Sequence, residues 1–243
     1  SDPSRPTLML EVHQDTVPME GMTIEPFSGE LRDGRIWGRG ACDVKGAMAC
    51  ILAAVGRLAK NPPAGMPNIV VACTVNEEHG FTGAKALAKL WRSGKSKLLP
   101  SAPDAVIVSE PTQLQVVVAH KGVVRWKCHT HGKAAHSSDP SRGENAIFSM
   151  RAVLDAFSCY AEEVPAVGEH PRLGRPTLSI GTIHGGVSVN TVPDRCTIEI
   201  DRRLLPDEDP HDARIHAVKF VEEATASAKI TTEHEEPFIV ARG

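Results

Sequence analysis

No apolar run in this 243-residue chain approaches the roughly 20 residues that span a bilayer, which excludes a conventional transmembrane helix. The opening SDPSRPT resembles no signal peptide. Charge of one sign is also missing. With 27 Lys and Arg against 30 Asp and Glu, the formal net charge of -3 argues against a nucleic-acid partner, as the missing apolar run argues against a membrane. The six cysteines, Cys42, Cys50, Cys73, Cys128, Cys159 and Cys196, form no C-x-x-C pair, and most sit inside apolar runs. They are expected to be reduced, buried small residues of a cytoplasmic protein. There is no internal repeat and no low-complexity tract.

What is present, 41% hydrophobic and 23% charged residues, suits a soluble globular protein of one or two domains with a sizeable core. The chain begins almost at once with a strand and stops at IVARG, so a piece of something longer is expected. Residues 8–12, LMLEV, read as a buried strand that runs into His13, Gln14 and Asp15. Residues 29–37 carry Asp33-Gly34 in their middle, the strongest short hairpin signal. The glycine-rich GRGACDVKG, 38–46, feeds a helix whose apolar positions Ala47, Met48, Ile51, Ala54, Val55 and Leu58 recur at helical spacing as far as Lys60, where Asn61-Pro62-Pro63 stops it. Residues 68–75, NIVVACTV, read as a central strand covered on both faces, leading into Glu77 and Glu78. A helix over 82–91 and a third buried strand over 105–108 follow, the latter running into Ser109, Glu110 and Pro111.

Strands alternating with helices imply a mainly parallel α/β sheet flanked by helices over 1–115. Three strands then deliver His13, the Glu77-Glu78 pair and Glu110 to one edge, where ligand sites of open α/β sheets lie. From about Val116 the grammar changes: one or two strands over 116–132, a helix over 143–162, strands over 177–184 and 195–204, a helix over 210–226 and a strand over 229–233. That β-α-β-β-α-β order predicts a ferredoxin-like α+β domain over 116–233, with 234–243 starting a return to the first domain.

Each of these polar residues has two readings. His13 and Asp15, two apart on an extended segment, are either an ordinary polar loop or a metal-bound imidazole backed by a carboxylate. Asp43, at a helix start in a loop that lets backbone approach closely, is a helix cap or a bridge between two cations. Side-by-side Glu77 and Glu78 are solvated loop acids, or a metal ligand beside a general base, since such crowding at a buried strand end costs free energy without a compensating cation or proton. Glu110 in SEPT is turn chemistry or an oxygen ligand.

Taken in order, HQDTVP, GRGACDVKG, NEEHGFTGA and SEPT resemble the dinuclear zinc deacylases and exopeptidases, over nearly the whole chain. The resemblance implies two divalent metal ions, zinc with cobalt as the alternative, with His13 and Glu110 ligating one, Asp43 bridging, Glu78 ligating the other and Glu77 as general base. It also makes Asp15 the carboxylate behind the first histidine. HGKAAHSSDPSRGENAI resembles the family's lid and dimerisation domain, in which His136 would stabilise the oxyanion in a partner subunit's site, so a homodimer through the lid is implied. In IHGGVSVNTVP, Asn190 falls where the family binds substrate. In IDRRLLP, Arg203 falls where an arginine grips the substrate's α-carboxylate, while Arg202 occupies a position usually apolar, for which a surface ion pair is the plain expectation. AHKG, HSSDPSRGENAI and PTLSIGTIHGG are most like members that hydrolyse N2-acetyl-L-ornithine to acetate and ornithine; succinyl-diaminopimelate and other acyl amino acids are the alternatives, and a non-catalytic dimerising or ligand-binding relative is the reading from another class. The family's last metal-ligand histidine belongs to chain beyond the lid, and His234 is not assigned that role.

Overall fold

The computed structural model describes residues 2–228 and 230–242, which divide into two compact units, Ser1–Val116 and Val117–Gly243. No helix among the described residues is long and apolar enough to cross a membrane.

The first unit is built on a three-stranded parallel sheet in which β1 (Thr7–His13) lies between β4 (Asn68–Thr74) and β5 (Ala105–Val108). The register pairs His13 with Thr74 and Glu11 with Val108, so β1 and β4 end level and β5 stops two residues short, with Glu110 following it on the same edge. Met9 and Ala72 are buried with Leu99, and Val70, Leu87 and Trp91 pack on them. Two expectations are corrected here. The middle strand is β1, not the nearly continuous apolar run 68–75; and β5, expected to be buried, is exposed along its whole length. Uninterrupted apolarity reports that a strand can be covered on two faces, not which strand has two neighbours.

Between these strands lie the hairpin β2 (Glu30–Arg32) and β3 (Arg35–Trp37), turning at Asp33 and Gly34, both at positive φ, and helices α1 (Gly46–Lys60) and α2 (Thr82–Arg92). The φ values of 52° and 70° are those a two-residue primed turn requires, which explains the Asp-Gly pair. In α1 the six positions at helical spacing are the partly buried ones, while every other residue of the helix is exposed.

The second unit follows β-α-β-β-α-β order: β6 (Gly122–His131), α3 (Ala146–Glu163), β8 (Thr177–Gly185), β10 (Arg195–Leu204), α4 (Pro210–Thr225) and β11 (Thr232–His234). The antiparallel sheet runs β11-β6-β10-β8, the ferredoxin-like arrangement. Alternate residues of β6 and β10, among them Val124, Trp126, Cys128, Ile198 and Ile200, are buried with Met150, Val153 and Phe157 of α3 and Ala217 and Val221 of α4. Asn145 caps α3 by accepting from the amides of Ile147 at 3.0 Å and Phe148 at 3.2 Å. A two-residue ribbon joins β7 (Ala135–His136) to β9 (Thr191–Val192).

Residues 116–121 contribute no strand, so the segment beginning there supplies one strand rather than two. Lys229, first residue of the expected strand 229–233, lies outside the described residues, as do Ser1 and Gly243; the strand itself is Thr232–His234. A further strand, β12 (Ile239–Ala241), pairs antiparallel with β6. The tail expected to leave for the first domain therefore adds a strand to the second unit's sheet. All six cysteines are free thiols, but only Cys128 and Cys196 are buried; Cys42, Cys50, Cys73 and Cys159 are exposed, against expectation.

Candidate metal centre

Three strand ends and one loop of the first unit assemble a single polar cluster. His13 closes β1 and is 2% exposed. Its Nε2 lies 3.0 Å from Oδ1 of Asp43, which the glycine-rich loop carries. That loop needs glycine at Gly40: φ is 77°, and a Cβ there would sit 2.7 Å from Cγ2 of Thr16. Beyond β4, Asn76 at φ 61° turns the chain so that Glu77 and Glu78 face the same space, and Glu110 arrives two residues past β5. Ligand atoms of His13, Asp43 and Glu110 lie within 4.8 Å of one another, and so do those of His13, Glu77 and Glu78. His13 is common to both groups.

The second ring nitrogen behaves differently from expectation. Nδ1 donates to the backbone carbonyl of Asp15 at 3.0 Å, while the nearer carboxylate oxygen of Asp15 is 3.7 Å away. The Asp15 carboxylate instead accepts the amide of Glu77 at 3.1 Å with one oxygen and that of Glu78 at 3.2 Å with the other. The aspartate thus supports the histidine through its main chain and the paired glutamates through its side chain.

The charge pattern is one that bound cations would relieve. With a carbonyl at Nδ1 and a carboxylate at Nε2, both ring nitrogens of His13 face acceptors. Burial pulls its pKa down, but the Asp43 hydrogen bond and the charges of Glu110 and Glu77 more than offset this, and the net shift is upward. Burial, then the surrounding acids, raise Glu77 despite the pull of His13. Burial, followed by the charges of Glu77 and Asp43, pushes Glu110 up to about 7. Burial alone would raise Asp15, yet its two amide bonds bring it below its ordinary value. Carboxylates that resist ionising beside one another are relieved by divalent ions, and the donor set, one imidazole and four carboxylates, suits zinc or a neighbouring transition metal.

Glu11 was not singled out from sequence. Two residues before His13 and on the same side of β1, it accepts a hydrogen bond from the buried hydroxyl of Thr74. An acid inside the apolar run LMLEV was the available signal.

The second unit holds the remaining candidates. His136 accepts from Ser138 at Nδ1, its hydroxyl at 2.8 Å and its amide at 3.1 Å, and pairs with Thr191 across the β7–β9 ribbon. Asn190 is next to that ribbon, its carbonyl accepting the amide of Ser137 at 3.0 Å. Arg203 is far from both: β10 runs from Arg195, beside the ribbon, to Arg203, eight residues or roughly 26 Å along the strand. Its Nε donates to Asp201 at 2.7 Å. Arg202, expected in a surface ion pair, is 1% exposed and donates to Glu208 at 2.5 Å, because strand alternation turns it into the core.

Comparison with known proteins agrees with this architecture. Residues 118–229 match the peptidase dimerisation domain of the M20 type. Acetylornithine deacetylase of Pectobacterium carotovorum is 34% identical over 203 residues, covering 82% of this chain and 50% of that protein. A probable carboxypeptidase of Emericella nidulans is 34% identical over 212 residues, 84% of this chain and 49% of that protein. The M20 family metallo-carboxypeptidase of Sulfolobus solfataricus superposes with a TM-score of 0.66 at 20% identity, covering 98% of this chain and 66% of the other. The chain spans about half the length of the curated relatives it matches.

Proposed function

This chain belongs to the M20 peptidase family, and from that premise we propose that the protein is a metal-dependent amide hydrolase that removes the acyl group from an N-acyl amino acid. The observation that carries the reading is the meeting of His13, Asp43, Glu77, Glu78 and Glu110, which come from four separate stretches of chain. In this reading His13 and Glu110 hold one divalent ion, Glu78 another, and Asp43 both, with zinc the first choice and cobalt a substitute. Such ions supply Lewis acidity to the amide carbonyl and acidify the attacking water.

The chain's own residues do the rest. Glu77, raised by burial and held in place by Asp15 through its amide, takes the water's proton and returns it to the leaving amine nitrogen as the C–N bond breaks. His136 donates to the oxyanion of the tetrahedral intermediate and Asn190 holds substrate beside it. Arg203 pairs its guanidinium with the substrate's α-carboxylate. His136 and Asn190 are separated from Arg203 by most of β10, so one second unit cannot close both ends around a small substrate. This favours a homodimer in which one subunit supplies His136 and Asn190 and its partner the arginine.

The substrate proposed first is N2-acetyl-L-ornithine, giving acetate and ornithine, as the 34% identity to an acetylornithine deacetylase supports. Equal identity to a probable carboxypeptidase supports a second reading, cleavage of a carboxy-terminal peptide bond at the same centre. Full-length protein assayed with N2-acetylornithine, succinyl-diaminopimelate and a dipeptide separates these. For the chemistry itself, Glu77→Gln should leave bound metal unchanged by elemental analysis while lowering kcat by about 10²–10⁴-fold; undiminished turnover with metal in place would remove Glu77 as the base.

A further inference from the structure

Two arginines stand side by side near the end of β10, and strand alternation sends them to opposite faces. Arg203 lies on the open face, 42% exposed, using Nε to reach Asp201, whose other oxygen accepts Arg125 at 2.6 Å. Arg202 shares its face with Ile198, Ile200 and Leu204 and is among the largest fully buried side chains. A guanidinium in that place is desolvated at considerable cost and persists only if paired.

Its partners are local and specific. One terminal nitrogen donates to Glu208 Oε1 at 2.5 Å, and the other to the carbonyl of Arg203 itself. The second oxygen of Glu208 accepts the amide of Leu205 at 2.7 Å, and the Glu208 amide returns to the Leu205 carbonyl at 3.0 Å. Glu208 adjoins Asp209, which caps α4 by accepting from His211 at 2.8 Å. The buried cation therefore ties the peptide of Arg203 to the turn after β10 and, through it, to the start of a helix. Nε of Arg202 has no partner. Apolar residues of similar volume would fill such a place as stably as an imperfectly satisfied pair, but would not fix the peptide.

We propose that Arg202, acting with Glu208, is a positioning residue that fixes the end of β10 so that Arg203 presents its guanidinium to the substrate's α-carboxylate. The proposal rests on the role given to Arg203 above. An apolar residue at 202 could bury the strand but could not hold the Arg203 carbonyl, so the buried charge serves orientation rather than burial.

The test compares full-length wild-type enzyme, Arg203→Ala, the paired replacement Arg202→Met with Glu208→Leu, and the milder Glu208→Gln, each with an N-acetyl amino acid and its α-carboxamide. Wild type should prefer the acid, and Arg203→Ala should lose that preference through KM. The paired replacement should stay folded, with a melting temperature lowered only by the loss of the Leu205 amide's acceptor, and keep kcat while raising KM for the acid about tenfold, the scale of one weakened charge-assisted hydrogen bond, and leave KM for the carboxamide unchanged. Glu208→Gln should move the same way by less. If wild type does not distinguish acid from amide, the role of Arg203 fails and this proposal with it. If Arg203→Ala behaves as expected while folded Arg202 and Glu208 variants keep the wild-type preference, Arg202 is only a core residue and the proposal is overturned.

Discussion

At the scale of single residues, the site depends on supports as much as on ligands. Asp15 touches the centre twice, through its carbonyl to His13 and through its carboxylate to the amides of Glu77 and Glu78. Asp15→Ala keeps the carbonyl and removes the carboxylate, so the glutamate pair should be loosened while the His13 contact remains. Metal affinity should fall about 10–100-fold, the usual effect of losing such a support, as measured by competition with a chromophoric chelator. A second prediction concerns His234, whose Nδ1 accepts from Trp126 Nε1 at 3.2 Å and whose pKa burial pushes down to about 4 from 6.5. Between those values the unfolded chain binds a proton that the folded chain refuses. Stability therefore falls as pH drops from about 6.5 to about 4, by at most about 3 kcal/mol on this account. Urea titrations followed by tryptophan fluorescence should show that slope, and His234→Gln should flatten it. What sequence made legible at this scale is clear from where it succeeded. His13, Glu77, Glu78 and Glu110 each end or follow a strand, and parallel strands bring such ends level. Which atom of Asp15 meets which donor was not legible, since spacing fixes the side of a strand and not the bond. Arg202 departs from the usual exposure of a charged side chain because strand alternation in IDRRLLP places it with Ile198 and Ile200.

At the scale of elements, periodicity carried most of the information. The α1 stripe, the Asp33-Gly34 turn and the limits of β10 follow from patterns repeated over several residues, whereas β12 rests on three residues and gave no pattern to read. Its pairing with β6 is a long-range event that local sequence does not encode. Two substitutions test how elements are joined. Removing the α3 cap with Asn145→Ala leaves the amides of Ile147 and Phe148 without their acceptor and should cost about 1 kcal/mol in thermal or denaturant unfolding. Gly132 lies where β6 passes the loop before α3, and a methyl group there would fall 2.1 Å from the carbonyl oxygen of Glu144. Backbone cannot yield as a side chain can, so Gly132→Ala should destabilise the second unit by about 1–3 kcal/mol by the same measurements.

At the scale of the whole molecule, the two units should answer to different reagents. The acids of the first repel one another, so on the metal binding proposed above, zinc at a hundredfold excess over its dissociation constant should stabilise that unit by about 2.7 kcal/mol, while the second, with its apolar core under two helices, should not respond. Calorimetry with and without chelator should show one transition moving and the other fixed. The bare flank of β5 has a separate consequence. Val106, Ile107 and Val108 stand 45%, 54% and 59% exposed on a strand with β1 as its one described neighbour, so a row of amides and carbonyls is open to capture by any extended peptide. In solution such a rim is adhesive: the chain should self-associate as its concentration rises, and Ile107→Lys should keep it dispersed.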